Sequence, residues 1–358
     1  MTINSSNRFG WDYQALSATF PFRFPRIVDI HSHIVGGKAA EIYQRVARQY
    51  GITMTFSMTP LPYVDPVKKV LGDSVHFIAV PEWHDPDPER AFGPRFIQTM
   101  EKFYELGSRV VKFWSAPRGI DIGYRANNPA LLKIDAPHRI ESMKRATELG
   151  MIMMAHVGDP DTWFATRYTD SLRYGTKREQ YVGFERALDQ FPTPWIAAHM
   201  GGWPEDLNFL DGMLERHPNL YLDSSATKWM VRELSKHSRE ELLGFMTRWK
   251  GRVLFGSDIV TNDDHLIPET TGNEMADKAG SAEQAYDLYA SRYWALRTMF
   301  ETDFSGESPI ADPDLALVNP ARYSPLDAPR LEGKSFPEEL LHVFYYQAVE
   351  TLMKHVQP

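Results

Sequence analysis

The chain has no cysteine among its 358 residues. Disulfides, thiolate metal sites and cysteine nucleophiles are therefore excluded, and any metal must be held by His, Asp, Glu or a modified Lys. The lack of cysteine suits a cytoplasmic location. Long apolar runs are missing as well. No stretch approaches the roughly 18 apolar residues of a membrane span, and residues 1–10 are polar where a signal core would be apolar, so no membrane partner is expected. Positive charge is not in excess. The 39 Lys and Arg against 47 Asp and Glu leave a net charge of −8, which argues against a nucleic-acid partner. Internal repeats and low-complexity tracts are absent too.

What is present is ordinary for a globular protein, with 43% hydrophobic and 24% charged residues. The length fits one α/β barrel with insertions or two ordinary domains. Eight short apolar stretches read as strands, over 26–31, 52–58, 75–80, 109–114, 151–155, 195–198, 219–223 and 252–255. Each is followed by a helix or a helix-bearing loop. Runs such as Met151-Ile152-Met153-Met154 and Trp195-Ile196-Ala197-Ala198 are apolar without alternation, as strands buried on both faces are. Successive βα units predict an α/β fold, a (β/α)8 TIM barrel with an insertion or cap after strand eight. The rival is an open doubly wound sheet, disfavoured because no glycine-rich phosphate loop follows the first strand. Residues 1–25 read as an irregular N-terminal arm, and 26–358 as the barrel. Within it, 262–334 forms the insertion or cap, with a helix over 282–301, and 337–354 is the closing helix. Capping boxes are expected at Ser238-x-x-Glu241 and Ser335-x-x-Glu338, and a capped start at Asp135-Ala136-Pro137.

The first strand ends in Val28-Asp29-Ile30-His31-Ser32-His33-Ile34. Strand side chains alternate with a period of two, so His31 and His33 point the same way. Two imidazoles on one rigid segment make half a metal site. Barrel chemistry sits at the C-terminal strand ends. Collecting polar residues there adds Lys112 near the end of strand four, His156 after strand five, His199 after strand six and Asp258 after strand eight. One such histidine is usually structural. Three strands ending in His and a fourth ending in Asp are hard to explain that way.

Asp29-Ile30-His31-Ser32-His33, Ala155-His156, Ala198-His199-Met200-Gly201-Gly202-Trp203-Pro204 and Leu254-Phe255-Gly256-Ser257-Asp258 together resemble the amidohydrolase superfamily. The likeness is to the amidohydrolase-related branch that includes aminocarboxymuconate-semialdehyde decarboxylase. It implies that His31, His33, His156 and Asp258 ligate one divalent metal, zinc first, with manganese as an alternative. It makes His199 an acid/base beside the ligands and Asp258 a catalytic carboxylate as well as a ligand. In some relatives a lysine at the end of strand four is carbamylated and bridges two metals, which makes Lys112 a bridging or a substrate residue. Relatives are often dimers, so a homodimer is one implied assembly. The implied activity is hydrolysis of a carbonyl compound (amide, lactone or ester) by an activated water, with non-oxidative decarboxylation of a small unsaturated or aromatic acid as the alternative. The partner is then a small-molecule substrate. Trp83, Trp114, Arg118, Trp163, Trp203 and Arg232 follow strands closely enough to line its pocket, and His84, Asp159 and Lys228 join them as weaker candidates.

Overall fold

The computed structural model describes residues 4–83, 85–268 and 279–356. Nine strands of the α/β alternation follow one another: β1 (Ile27–Ile34), β2 (Ile52–Ser57), β3 (Val75–Ala79), β4 (Val110–Trp114), β5 (Ile152–His156), β6 (Trp195–Ala197), β7 (Leu220–Asp223), β8 (Val253–Leu254) and β9 (Ile259–Thr261). The chain divides into two compact units. One comprises Met1–Ser57, Pro62–Val75 and Ser224–Val349; the other comprises Met58–Leu61, His76–Asp223 and Glu350–Pro358.

In the second unit β3, β4, β5, β6 and β7 lie side by side in sequence order, every pair parallel. No reversal of strand order interrupts them, whereas a doubly wound sheet requires one. The strands are largely apolar because helices cover them. Phe113 of β4 meets Phe96 of helix Pro94–Glu105 at 5.6 Å, and Trp195 of β6 meets Phe184 of helix Lys177–Gln190 at 5.7 Å. Side chains alternate, so Lys112 and Trp114 belong to the face of β4 opposite Phe113.

In the first unit β1 pairs in parallel with β2 on one side and with β9 on the other. The first strand of the alternation is thus bonded to the last, as a TIM barrel requires. The expected strand 26–31 is longer than predicted. It runs on through both histidines because Ser32, His33 and Ile34 face Ile259, Val260 and Thr261 across the ladder. The last strand is correspondingly split. Ile30 N donates to Phe255 O (3.0 Å) before the break, and Asp258 N donates to His31 O (2.8 Å) after it.

The stretch after strand eight contributes helix Ala282–Glu301, buried over nearly all of Leu288–Glu301. Its Tyr293 hydroxyl reaches Asp29 (2.7 Å) and the Tyr43 hydroxyl (2.7 Å), and Trp294 receives Trp11 of the N-terminal arm at 5.1 Å. That arm is more regular than expected: Asp12 caps a short helix, Tyr13–Leu16. Two helix starts also differ. Pro137 opens its helix with Ala136 as the cap, while Asp135 ion-pairs with Arg186 (3.5 Å). Ser335 takes φ +44°, so its side chain cannot cap; Pro337 holds that place, and a π-helical turn at Val343–Gln347 breaks the closing helix. The box at Ser238 and Glu241 is formed as expected. No helix among the described residues is long and apolar enough to cross a membrane.

Asp29 is fully buried. It accepts hydrogen bonds from Ser257 Oγ (2.5 Å), Tyr293 OH (2.7 Å), Ser257 N (3.0 Å) and His31 N (3.1 Å). Burial pushes its carboxyl up to about 6, against the pull of those donors. Tyr293→Phe removes one hydrogen bond to this buried carboxylate and is expected to lower stability by about 1.5–3 kcal/mol. Leu172→Ala, at a side chain 99% exposed, is expected to stay within about 0.5 kcal/mol. Denaturant midpoints measured for the two variants check this; equal midpoints would remove Tyr293 from the network's support.

Candidate metal centre

In the first unit His31 and His33 aim their Nε2 atoms at one carboxylate oxygen. Asp258 Oδ1 lies 3.4 Å from His31 Nε2 and 3.2 Å from His33 Nε2. The three donor atoms lie within 4.8 Å of one another. These gaps exceed the roughly 2.7–2.9 Å of a charge-assisted hydrogen bond. They match the ~3.0–3.4 Å between donors that sit about 2.1 Å from one ion at octahedral to tetrahedral angles. The other ring nitrogen of His31, Nδ1, lies 3.0 Å from Ser225 Oγ, so Nε2 is the nitrogen turned to Asp258. Two imidazoles and a carboxylate with no sulfur suit zinc, manganese or a similar divalent ion.

Backbone conformation delivers Asp258. It takes φ +59°, a left-handed turn immediately before β9. The Gly256-Ser257-Asp258 segment is held beneath by Asp29, and a Cβ on Gly256 would come within 3.0 Å of the His31 Cβ. On the other strand, the β1–β2 register shifts between Asp29 and Ser32, where His31 stands. Such irregularities re-aim side chains at strand ends.

In the second unit His156 ends β5 and His199 follows β6, their rings 4.6 Å apart and nearly perpendicular. His199 is also left-handed, at φ +61°. Its amide is fixed by the fully buried Asp223 at the end of β7, whose Oδ1 accepts from His199 N at 2.9 Å. Such residues cost on the order of 1–2 kcal/mol each and persist where surroundings over-determine them. His156 Nε2 is bonded to Asp159 Oδ1 (2.8 Å), and Asp159 Oδ2 accepts from Tyr168 OH (2.5 Å). Burial alone would raise the Asp159 carboxyl; His156, Tyr168 and the field of Arg118 outweigh it and hold the group below its ordinary value.

The remaining expected site residues divide by environment. Lys112 is buried in β4 at the register of Met154, two pairs below Trp114 and His156. Trp114 stands edge-on to His156 (6.4 Å) and to Trp83 (5.7 Å). The Arg118 guanidinium lies over Trp114 (5.4 Å) and Trp163 (5.9 Å), so these four form one aromatic and cationic wall beside His156. Trp203 is buried by packing: it stacks on Tyr181 at 5.7 Å and lies under the Lys177 ammonium. Arg232 is a correction. Expected at the pocket, it is buried and bound to Glu233 (2.6 Å), Asp312 and Asp314 (3.3 Å), carboxylates that outweigh burial and hold its guanidinium above the ordinary value. Asp159, expected to line the pocket, is instead the buried partner of His156. His84 lies outside the described residues. The supports Asp29, Ser225 and Asp223 were not singled out in the sequence; each is a polar residue at or beside a strand, a weak signal by itself.

The family model described as Amidohydrolase matches residues 28–328, most of the chain. No curated protein matches. Among solved structures, the chain is similar to an uncharacterized TIM-barrel protein of Bordetella bronchiseptica, at 14% identity over 92% of this chain and 99% of that one, with a TM-score of 0.49. It is similar to a probable 2-pyrone-4,6-dicarboxylic acid hydrolase of Acinetobacter baumannii with citric acid bound, at 11% identity over 74% and 91%, with a TM-score of 0.42. A 2,6-dihydroxybenzoate decarboxylase from Rhizobium is 14% identical over 76% of this chain and 99% of its own, with a TM-score of 0.41.

The glycines after His199 have a physical cause. Gly202 takes φ +77°, and a Cβ there would strike the Gly158 carbonyl in the loop carrying Asp159. Gly202→Ala is therefore expected to cost at least about 2 kcal/mol, from left-handed strain plus the displaced backbone. Thermal denaturation checks it against Gly244→Ala, where a Cβ meets nothing within 4 Å and helical propensity predicts a gain. A neutral Gly202→Ala would contradict the close approach of the two loops.

Proposed function

Because the chain belongs to the amidohydrolase family, and is thereby a metal-dependent enzyme of that superfamily, we propose that it is a hydrolase that directs an activated water against the carbonyl of a small amide, lactone or ester. The observation that carries this reading is the convergence of two imidazole nitrogens on one carboxylate oxygen at 3.4 and 3.2 Å. His31, His33 and Asp258 would hold the ion, with His156 as a further ligand by the motif it ends. A divalent ion held there supplies Lewis acidity, lowering the pKa of a water toward about 7 and polarising a carbonyl oxygen.

The protein's own groups do the rest. Asp258 has a second carboxylate oxygen, Oδ2, to accept the proton of the attacking water. His199 donates a proton to the leaving group, and its backbone is fixed for that by Asp223. Arg118 is shaped to hold an anionic group of the substrate, and Trp83, Trp114 and Trp163 offer flat walls for a planar one. Lys112 stays outside the ligand set in this reading, which uses one ion. Trp203 and Arg232 serve packing.

The test is turnover of a panel of small lactones, esters, amides and unsaturated acids, followed by mass spectrometry. The products are expected to sum to substrate plus water (one product heavier by water for a lactone, two fragments for an open-chain ester or amide), activity is lost on chelation, and zinc or manganese restores it. Asp258→Asn and His199→Ala are each expected to lower kcat by about 10²–10⁴-fold. A product lighter by carbon dioxide would overturn the hydrolase assignment in favour of a decarboxylase. Full turnover after exhaustive chelation would overturn the metal dependence.

A further inference from the structure

Arg139 is a cation shut inside the second unit without a counter-charge. It is the third residue of helix Pro137–Glu148 and is 0% exposed. Its Nη2 donates to Trp114 O (2.8 Å) and Ser115 Oγ (3.2 Å), at the end of β4. Neither acceptor is charged. Nε and Nη1, also buried, meet no hydrogen-bond partner among the described residues. The Phe113 ring, 5.2 Å from the guanidinium carbon, offers a π face and no negative charge. Burial pulls the guanidinium below its ordinary value, and no carboxylate works against it. The carboxylates of this helix and of the one packed on it are taken. Glu141 pairs with Lys144 (2.7 Å), and Glu101 and Glu148 both pair with Arg145 (2.8 and 2.9 Å). The first turn of the helix carries no acidic residue, and its cap, Ala136, supplies no side-chain oxygen. That end of a helix is itself partly positive, which leaves the cation still less compensated.

A buried charge is tolerated when it is paired, and an arginine keeps its proton at any working pH. We propose that the Arg139 guanidinium binds a small inorganic anion of the chloride class, enclosed between helix Pro137–Glu148 and the end of β4. The nitrogens not used by Trp114 and Ser115 donate to it. A water there would satisfy hydrogen bonds and leave the charge unpaired. An organic anion is excluded by size, because the whole of Arg139 is closed off from solvent. Phe113 marks the helix-covered face of β4, so the ion lies across the strand from Lys112 and Trp114 and takes no part in the proposed hydrolysis. Its role is to hold the helix on the strand that carries Trp114.

The experiment starts from the full-length protein in chloride-free gluconate buffer, with chloride then exchanged for gluconate at fixed ionic strength. Denaturation midpoints are measured for wild type and Arg139→Met. Wild type is expected to gain stability with chloride, its folding equilibrium constant rising about tenfold for each tenfold of chloride above the dissociation constant. Arg139→Met, which keeps an unbranched side chain and drops the charge, is expected to show no such rise. Crystals soaked in bromide are expected to show an anomalous peak within hydrogen-bond distance of the Arg139 guanidinium. Equal chloride responses in the two proteins would overturn the proposal, as would water density at the guanidinium with no anomalous signal. A bromide peak in a protein whose stability ignores chloride marks an adventitious ion only and overturns it too. If Arg139→Met does not fold, the wild-type chloride response and the bromide peak decide, and the loss of either overturns the proposal.

Discussion

The candidate centre depends on the ladder between β1 and β9. Parallel pairing of Ser32, His33 and Ile34 with Ile259, Val260 and Thr261 puts the first strand of the alternation beside the last. Only that register brings Asp258, at the start of β9, level with the histidines of β1. The Asp258 amide is anchored on the His31 carbonyl at 2.8 Å, so these two residues are tied through backbone as well as side chain. A one-residue slip would turn His31 and His33 to the other face.

A buried polar network keeps that register. Asp29 sits under both segments of the candidate centre and takes backbone hydrogen bonds from His31 and from Ser257, the neighbour of Asp258. Its other partners bring in the helix Ala282–Glu301 through Tyr293, and Tyr43 links the same hydroxyl to Thr55 of β2. A buried carboxylate is costly when unsatisfied, but here four donors meet it. The second unit uses the same device: Asp223 holds the His199 amide and Asp159 holds the His156 ring. Three buried aspartates thus serve as supports, while Asp258 is partly exposed and faces both histidines of β1.

Much of this is legible in the sequence, for physical reasons. The His31-x-His33 pair is readable because strand alternation is local, and the strand positions are readable because apolar runs bounded by glycine and proline are local too. The supports are not. Asp29, Asp159 and Asp223 look like any aspartate until tertiary structure supplies their donors, and Asp159 passes for a pocket residue. Arg232 fails in the other direction. A cation soon after β7 looks available to a substrate, but its carboxylates Asp312 and Asp314 come from about eighty residues away. Helix starts show the same limit. Ser238 caps as its spacing predicts, whereas Ser335 is pulled into a left-handed turn by bonds to Thr302 and Arg239.

X-ray absorption at the metal edge of zinc-loaded protein tests the central claim most directly. The account predicts a single shell of nitrogen and oxygen scatterers at about 2.0–2.1 Å, with the outer-shell pattern of imidazole rings that loses one ring in His31→Ala. A spectrum without imidazole scattering, or one unaltered by that substitution, would contradict it.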